Sequence, residues 1–118
     1  MSANNFCDLS GLKVVITGST SGIGREVARE FANAGAELLI HGRQDSQAAQ
    51  EVREELSSLT RRVVFDSCDL SHESELPEFV ERCRQLLGTI DIWINNAGAD
   101  LLTGDAAAWS FAQKLQRL

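Results

Sequence analysis

Short, nearly continuous apolar runs alternate along the chain with longer segments in which apolar residues recur at helical spacing. Four of these runs are predicted strands: "LKVVIT" (12–17), "ELLIHG" (37–42), "RVVFDSC" (62–68) and "IDIWINNAG" (90–98). They lack the strict alternation of polar and apolar residues that marks a strand with one wet face. Continuous apolar strands of this kind are typical of a parallel sheet that is covered on both faces.

The segments between the strands predict amphipathic helices, because their apolar residues return every three or four positions. The first helix begins at Ile23 and ends at Gly35, and a final helix covers 105–118. The second, 45–59, has Asp45 or Ser46 as its N-cap and the apolar face Ala48, Val52, Leu56 and Leu59. The third, 71–88, tolerates Pro77 in its first turn and has the apolar face Leu76, Phe79, Val80, Cys83 and Leu87.

The regular order of strand and helix predicts right-handed βαβ units. The expected fold class is α/β; if the sheet has the doubly wound Rossmann order, 3-2-1-4-5-6, the four predicted strands are a truncated sheet of about four strands in the order 3-2-1-4. Strand four would be interior in the complete sheet, so its free edge is apolar and open to pairing. We therefore expect a homo-oligomer, formed through the strand-four edge or the C-terminal helix. A compact monomer whose last helix covers that edge is the alternative.

Composition and charge exclude several classes of protein. The chain has 118 residues, 43% of them hydrophobic, which predicts one domain, and its net charge of −6 argues against a nucleic-acid partner. No apolar run reaches the roughly 18 residues of a membrane span, and the polar N-terminus has no signal-peptide pattern. The cysteines, Cys7, Cys68 and Cys83, are widely spaced. This predicts reduced, mostly buried thiols, no metal site and a cytoplasmic location.

Three glycines lie in the turn between the first strand and the first helix, "TGSTSGIG" (17–24). Such a turn lets the backbone approach an anionic group at the positive end of a helix. We assign Gly18 to the tight turn, Gly22 to the approach of a pyrophosphate and Gly24 to close helix packing. The spacing is G-x-x-x-G-x-G, which is neither the usual dinucleotide pattern nor a P-loop. A plain loop is the alternative interpretation.

Arg43 follows the second strand, where dinucleotide folds that prefer NAD have an acidic residue. A guanidinium binds a 2′-phosphate, which a carboxylate would repel. We therefore expect NADP(H) to be favoured over NAD(H). The alternative is a solvated loop arginine that is partly neutralised by Asp45.

Three motifs together, "TGSTSGIG" (17–24), "CDLS" (68–71) and "NNAG" (95–98), resemble the short-chain dehydrogenase/reductase family. The resemblance extends over nearly the whole chain and implies an NADP(H)-dependent oxidoreductase. It implies that the pyrophosphate turn and its neighbours are Thr17, Gly18, Ser19, Thr20, Ser21, Gly22, Ile23 and Gly24. Ser19 and Thr20 would lie near the adenosine ribose, Ile23 near the pyrophosphate, and Asp69 and Leu70 beside the adenine. Asn95, Asn96, Ala97 and Gly98 would support the sheet and line the nicotinamide-side ribose.

Two points keep other interpretations open. NADP(H) members of the family often carry a second basic residue where this chain has Ser21, which weakens the cofactor preference. Asp69 or Ser71 would equally serve as a cap of the next helix, and Asn95 and Asn96 as partners of the backbone at the sheet end.

The catalytic centre that the resemblance implies, a Ser, a Tyr and a Lys, is missing. The chain contains no tyrosine, and its lysines are Lys13 in strand one and Lys114 in the last helix. We expect His41 to be a hydrogen-bonded histidine near the core and His72 to be exposed. We therefore predict no catalytic residue in 1–118 and interpret it as the N-terminal dinucleotide-binding portion of the parent enzyme. A stand-alone, non-catalytic NAD(P)-binding module is the main alternative, and a flavodoxin-like signalling domain a weaker one.

Overall fold

The computed structural model describes residues 7–97 and shows alternating strands and helices. The strands are β1 (Lys13–Ile16), β2 (Glu37–Gly42), β3 (Val63–Ser67) and β4 (Ile92–Ile94). The helices are α1 (Gly22–Asn33), α2 (Gln47–Ser57) and α3 (Leu76–Leu87), and a 3₁₀ turn, Glu73–Glu75, precedes α3. Among residues 7–97, no helix is long and apolar enough to cross a membrane.

The four strands form one parallel sheet in the order β3-β2-β1-β4, which confirms the predicted α/β class and strand order. Val15 is paired with Leu39 of β2 on one side and with Trp93 of β4 on the other. Because all strands are parallel, the four segments that follow them meet at one edge of the sheet. We call this edge, formed by 17–21, 43–46, 68–72 and 95–97, the carboxyl edge.

Both faces of the sheet are covered, as the continuous apolar strands predict. On one face, α1 and α2 pack on β1 and β2 around Val14, Ile16, Ala28, Leu38, Val52 and Leu56. On the other face, α3 places Phe79, Cys83 and Leu87 against Val15 and Leu39. The edge strands β3 and β4 are only partly buried.

The largest differences from prediction concern α2, α3 and β4. The buried face of α2 is Ala49, Val52 and Leu56, whereas Ala48 is exposed and Leu59 lies beyond the end of the helix. The third helix begins only at Leu76, because a turn and the 3₁₀ segment occupy 71–75. Its buried stripe is narrow, since Phe79, Cys83 and Leu87 are four residues apart, and this leaves Val80 exposed. Strand β4 spans three residues, and the predicted helix over 105–118 lies outside the described residues.

The predicted caps were partly right. The hydroxyl of Ser46 accepts a hydrogen bond from the Ala49 amide, so Ser46 rather than Asp45 caps α2. Gly35 follows the end of α1 with a φ of 97°, a left-handed conformation that favours glycine. Neither Asp69 nor Ser71 is an N-cap, because His72 caps the 3₁₀ turn and Glu75 precedes α3.

Candidate functional site at the carboxyl edge

The glycine turn is shaped by close contacts that only glycine allows. Gly18 has a φ of 63°, and a Cβ atom on it would lie 2.8 Å from the Cα of Ala97. A Cβ atom on Gly24 would lie 2.5 Å from Asn96 Nδ2 and closer still to the Gly18 carbonyl oxygen. Gly24 therefore lets α1 approach the end of β1, the packing role predicted for it.

Gly22 differs from the other two glycines because its surroundings are open. Its φ is 58°, and no described atom lies within 4 Å of the position of a Cβ. It is the first residue of α1, and the side chain of the N-cap, Ser21, makes no hydrogen bond to any described amide of the helix. The first amides of a helix have no partner within the helix, so this end of α1 presents free N–H donors to open space. Ile23 stands beside them with 75% of its surface exposed.

Thr17 and Asn96 connect the turn to the end of β4. Thr17 is buried, and its Oγ1 accepts hydrogen bonds of 3.0 Å from the amides of Asn96 and Ala97. The side chain of Asn96 donates to the Gly18 carbonyl at 3.0 Å. Asn95 is exposed, and its Oδ1 accepts from the indole of Trp93 at 2.7 Å. Asn96 thus supports the backbone, one of the two roles considered for the asparagines, whereas Asn95 contacts the Trp93 side chain, and Gly98 lies outside the described residues.

Ser19 is turned into the protein. Its hydroxyl donates to the Ile16 carbonyl at 2.8 Å and accepts from the His41 amide at 2.9 Å, and its own amide donates to the His41 carbonyl. The side chain is fully buried, so its hydroxyl holds backbone rather than facing the open side of the turn. Thr20 is half-buried, and its side chain lies beside Gly42.

His41 links two loops of the carboxyl edge, a role that the sequence did not predict. It was expected to be a hydrogen-bonded histidine near the core, and it is 1% exposed. Its Nδ1 lies 3.0 Å from the Gly18 amide, which donates to it, and its Nε2 lies 2.8 Å from the carbonyl oxygen of Cys68. Burial lowers the pKa of the imidazole below its ordinary value of 6.5. The ring therefore joins the glycine turn to the end of β3.

Arg43 and Asp69 face each other across the ends of β2 and β3. The Arg43 side chain is 80% exposed, and its Nη2 lies 3.7 Å from Asp69 Oδ2, so Asp69 rather than Asp45 is its described acidic neighbour. The other carboxylate oxygen of Asp69 accepts from the hydroxyl and the amide of Ser71. These hydrogen bonds keep the pKa of Asp69 below its ordinary value, so the carboxylate stays ionised near neutral pH. Leu70 is half-buried beside it.

The remaining candidate groups lie away from this edge or take no part in it. Lys13 is at the opposite end of β1, where its Nζ donates to the Leu87 carbonyl at 2.8 Å. Lys114 lies outside the described residues. His72 is exposed, as expected. Its Nε2 lies 3.9 Å from Asp69 Oδ2, and its Nδ1 lies 3.5 Å from Glu75 Oε2. Cys68 and Cys83 are buried free thiols, whereas Cys7 is exposed. Within residues 7–97, no group of three potential ligands is arranged to hold a metal ion.

Comparisons with known proteins agree with the geometry of the turn. A sequence model described as "short chain dehydrogenase" matches residues 12–116. An uncharacterised oxidoreductase of Staphylococcus saprophyticus is 36% identical over 107 residues, which cover 86% of this chain and 45% of that protein. The 7alpha-hydroxysteroid dehydrogenase of Escherichia coli is 37% identical over 90 residues, which cover 76% of this chain and 35% of the relative.

The fold is similar to solved structures as well. A crystal structure of a short-chain type dehydrogenase/reductase from Mycobacterium marinum matches with a TM-score of 0.74 and 30% identity, over 90% of this chain and 42% of that chain. The chain thus spans less than half the length of these relatives.

Proposed function

The chain belongs to the short-chain dehydrogenase family, and on this premise we propose that residues 1–118 are the dinucleotide-binding portion of an oxidoreductase. The family uses nicotinamide cofactors. The observation that carries the proposal is the open end of α1, where Gly22 at φ 58° leaves room beside free helix amides. Backbone N–H donors and the positive end of a helix, facing open space, fit a pyrophosphate. The proposed activity of the whole protein is hydride transfer between a nicotinamide and a carbonyl or hydroxyl group.

We further propose that NADP(H) is favoured over NAD(H). Arg43 supports this preference, because its guanidinium is 80% exposed at the same edge as the glycine turn. A guanidinium offers paired, charge-assisted donors to a phosphate. Asp69, 3.7 Å away, competes with the phosphate for Arg43 and moderates the preference.

The residues proposed to hold the cofactor are those of the carboxyl edge. The turn Gly18, Ser19, Thr20, Ser21, Gly22, Ile23 and Gly24 would hold the pyrophosphate side, Asp69 and Leu70 the adenine, and Asn95, Ala97 and Gly98 the nicotinamide-side ribose. The bound nicotinamide supplies or accepts the hydride. These residues bind and orient it, and we assign no catalytic residue to this chain, which contains no tyrosine.

Calorimetric titration of the 118-residue protein with NADPH and NADH tests both proposals. We expect both cofactors to bind, NADPH more tightly than NADH. Arg43→Ala should weaken NADPH binding by about tenfold and change NADH binding little. Arg84→Ala is the matched control, because Arg84 is an exposed arginine on α3 that pairs with Glu81. Absence of binding would contradict the dinucleotide site, and an equal loss for both cofactors in Arg43→Ala would contradict the role of its phosphate contact.

A stand-alone, non-catalytic NAD(P)-binding module is the second candidate, and the absence of tyrosine favours it. Intact-mass spectrometry of the natural protein, compared with its reading frame, separates the two. A longer product with a downstream Y-x-x-x-K motif supports the enzyme, whereas a natural product that ends at Leu118 supports the module.

We also propose that the chain self-associates through the edge of β4 or through 105–118. Within residues 7–97, β4 is paired with β1 on one side and with no strand on the other. Sedimentation velocity at micromolar concentration should show a dimer or larger species, and a purely monomeric protein would contradict the proposal.

A further inference from the structure

We propose that neutral His41 is a positioning residue for the glycine turn, and that its protonation lowers dinucleotide affinity at acidic pH. The inference rests on the proposed function, since it concerns the same turn. It starts from the contacts of the ring, which links Gly18 in the turn to Cys68 at the end of β3. The backbone of His41 also makes two hydrogen bonds with Ser19. His41 thereby contacts two of the four segments of the carboxyl edge, 17–21 and 68–72.

The partners of the ring fix its tautomer. A backbone amide only donates, so Nδ1 of His41, 3.0 Å from the Gly18 nitrogen, must carry a lone pair. A backbone carbonyl only accepts, so Nε2, 2.8 Å from the Cys68 oxygen, must carry the proton. The imidazole is therefore neutral and protonated at Nε2 when both hydrogen bonds are made.

Protonation of Nδ1 would place two N–H donors against each other. The ring is 1% exposed, so water cannot reach it to relieve this contact. Gly18 has little room to move away, because its carbonyl is held by Asn96 and its Cα side faces Ala97. The turn must then change conformation or lose its anchor, and either alters the amides that face the pyrophosphate.

Burial is the largest effect on His41 and favours a neutral ring, whereas the Cys68 carbonyl and Asp66 favour a charged one. On β3, Asp66 stands opposite His41 in the sheet and favours the charged form. Arg82 of α3 holds Asp66 in an ion pair of 2.7 Å and opposes that attraction. Burial raises the pKa of the Cys68 thiol, which is therefore neutral. From α3, the ring of Phe79 lies 5.0 Å from the imidazole, and the glycine turn carries no charged side chain.

Two substitutions separate the two hydrogen bonds of the ring. In His41→Asn, the side-chain oxygen takes the place of Nδ1 and accepts from Gly18, but the bond to Cys68 is lost. In His41→Gln, the amide nitrogen takes the place of Nε2 and donates to Cys68, but the acceptor for Gly18 is lost. Neither side chain titrates. We expect the NADH affinity of His41→Asn to lie within about twofold of wild type at pH 7.5, and that of His41→Gln to be about five- to tenfold weaker.

The pH profile is the readout that a merely structural role would not change. The dissociation constant for NADH is measured from pH 7.5 to 5.5, because NADH has no 2′-phosphate that titrates in this range. Wild-type affinity should fall once the pH drops below the pKa of His41 in the free folded protein, which burial lowers from 6.5, by at most about tenfold per pH unit. The His41→Asn profile should be flat, whereas the control Arg84→Ala, an exposed residue of α3 outside the carboxyl edge, should keep the wild-type profile.

A second measurement needs no cofactor. NMR of the imidazole nitrogens should show the Nε2-protonated tautomer at pH 7.5, and the Gly18 amide should titrate with the same midpoint as His41. If wild type binds no dinucleotide but Gly18 follows His41, the proposed function fails and the anchoring role stands. A wild-type pH profile that persists in His41→Asn, or a ring protonated at Nδ1, would overturn the inference while leaving cofactor binding intact.

Discussion

The two edges of the sheet are both rich in polar groups, but they use them in opposite ways. At the amino edge, where the strands begin, side chains form hydrogen bonds with backbone groups of the loops and of a helix end. Lys13 Nζ donates to the Leu87 carbonyl at the end of α3, and its amide donates to Asp91 Oδ2 at 2.8 Å. Thr60 Oγ1 donates to the Ala36 carbonyl at 2.7 Å. These contacts satisfy the loops and the helix end with groups from the chain itself.

At the carboxyl edge the polar side chains that bond the backbone are buried. Thr17, Ser19 and His41 are buried, and each bonds backbone groups at the strand ends or in the loops that follow them. The outer surface of the turn at Gly22 is left open. The comparison shows how one sheet has a closed end and a binding end. The buried hydroxyls and the imidazole fix the conformation of the turn. Its outward-facing amides are therefore not needed for structural hydrogen bonds and are available to a ligand.

The strongest way to break this comparison is Gly24→Ala. The new methyl group would collide with the Gly18 carbonyl and with Asn96, and neither can move without releasing the turn. We expect a loss of about 3 kcal/mol or more in the free energy of unfolding, measured by urea denaturation.

Gly22→Ala is the matched control for Gly24→Ala. Its methyl group enters open space, so only the left-handed backbone at φ 58° is strained, at a cost of about 1 kcal/mol. Equal losses in the two variants would show that contact with the turn does not decide the effect.

The next largest effect compares two buried threonines on opposite edges. Thr17→Val removes one acceptor from two amides, those of Asn96 and Ala97, and should cost roughly 2 to 4 kcal/mol. Thr60→Val removes one donor to a carbonyl and should cost about 1 kcal/mol. Only Thr17→Val should also weaken NADPH binding in calorimetry. If Thr60→Val weakens it equally, the binding site is not confined to the carboxyl edge.

The features that could be predicted from the sequence are those set by local pattern. Continuous apolar strands and helical spacing specify the sheet, its order and its two covered faces. The glycines of the turn could also be found, because Gly18, with a positive φ and a close neighbour, and Gly24, with close neighbours alone, are positions that only glycine can occupy. Helix ends were less certain, since Ala48 and Ala49 are equally apolar and only the three-dimensional packing selects Ala49.

The parts that could not be predicted depend on which loops meet. Nothing adjacent to His41 in the sequence shows that its ring bridges Gly18 and Cys68, which lie 23 and 27 residues away. The pairing of Arg43 with Asp69 likewise arises from two neighbouring strand ends. The only available signal was a histidine at the end of an apolar strand, where a buried polar ring must find partners.

Two exposed arginines, one at each edge, allow a comparison of smaller effects on stability. Arg61 at the amino edge is 79% exposed but pairs with Glu37, whose side chain is 3% exposed. Arg61→Ala leaves that carboxylate with little solvent and should cost about 1 kcal/mol in urea denaturation. Arg43→Ala should change stability by less than about 0.5 kcal/mol, because Asp69 keeps its bonds to Ser71. A larger stability loss in Arg43→Ala than in Arg61→Ala would contradict the assignment of Arg43 to binding rather than folding.

The smallest expected effect is the pH dependence of stability that His41 contributes. Burial lowers the pKa of its imidazole in the folded state, whereas the unfolded chain keeps the ordinary value of 6.5. Below pH 6.5 the unfolded state therefore binds more protons, so the stabilising contribution is complete above 6.5 and is lost as pH falls towards the folded-state pKa. Urea denaturation of wild type and His41→Gln at pH 7.5, 6.5 and 5.5 measures this contribution. The difference between the two proteins should narrow as pH falls, because only wild type has the imidazole to protonate. A constant difference would mean that the ring does not titrate in this range.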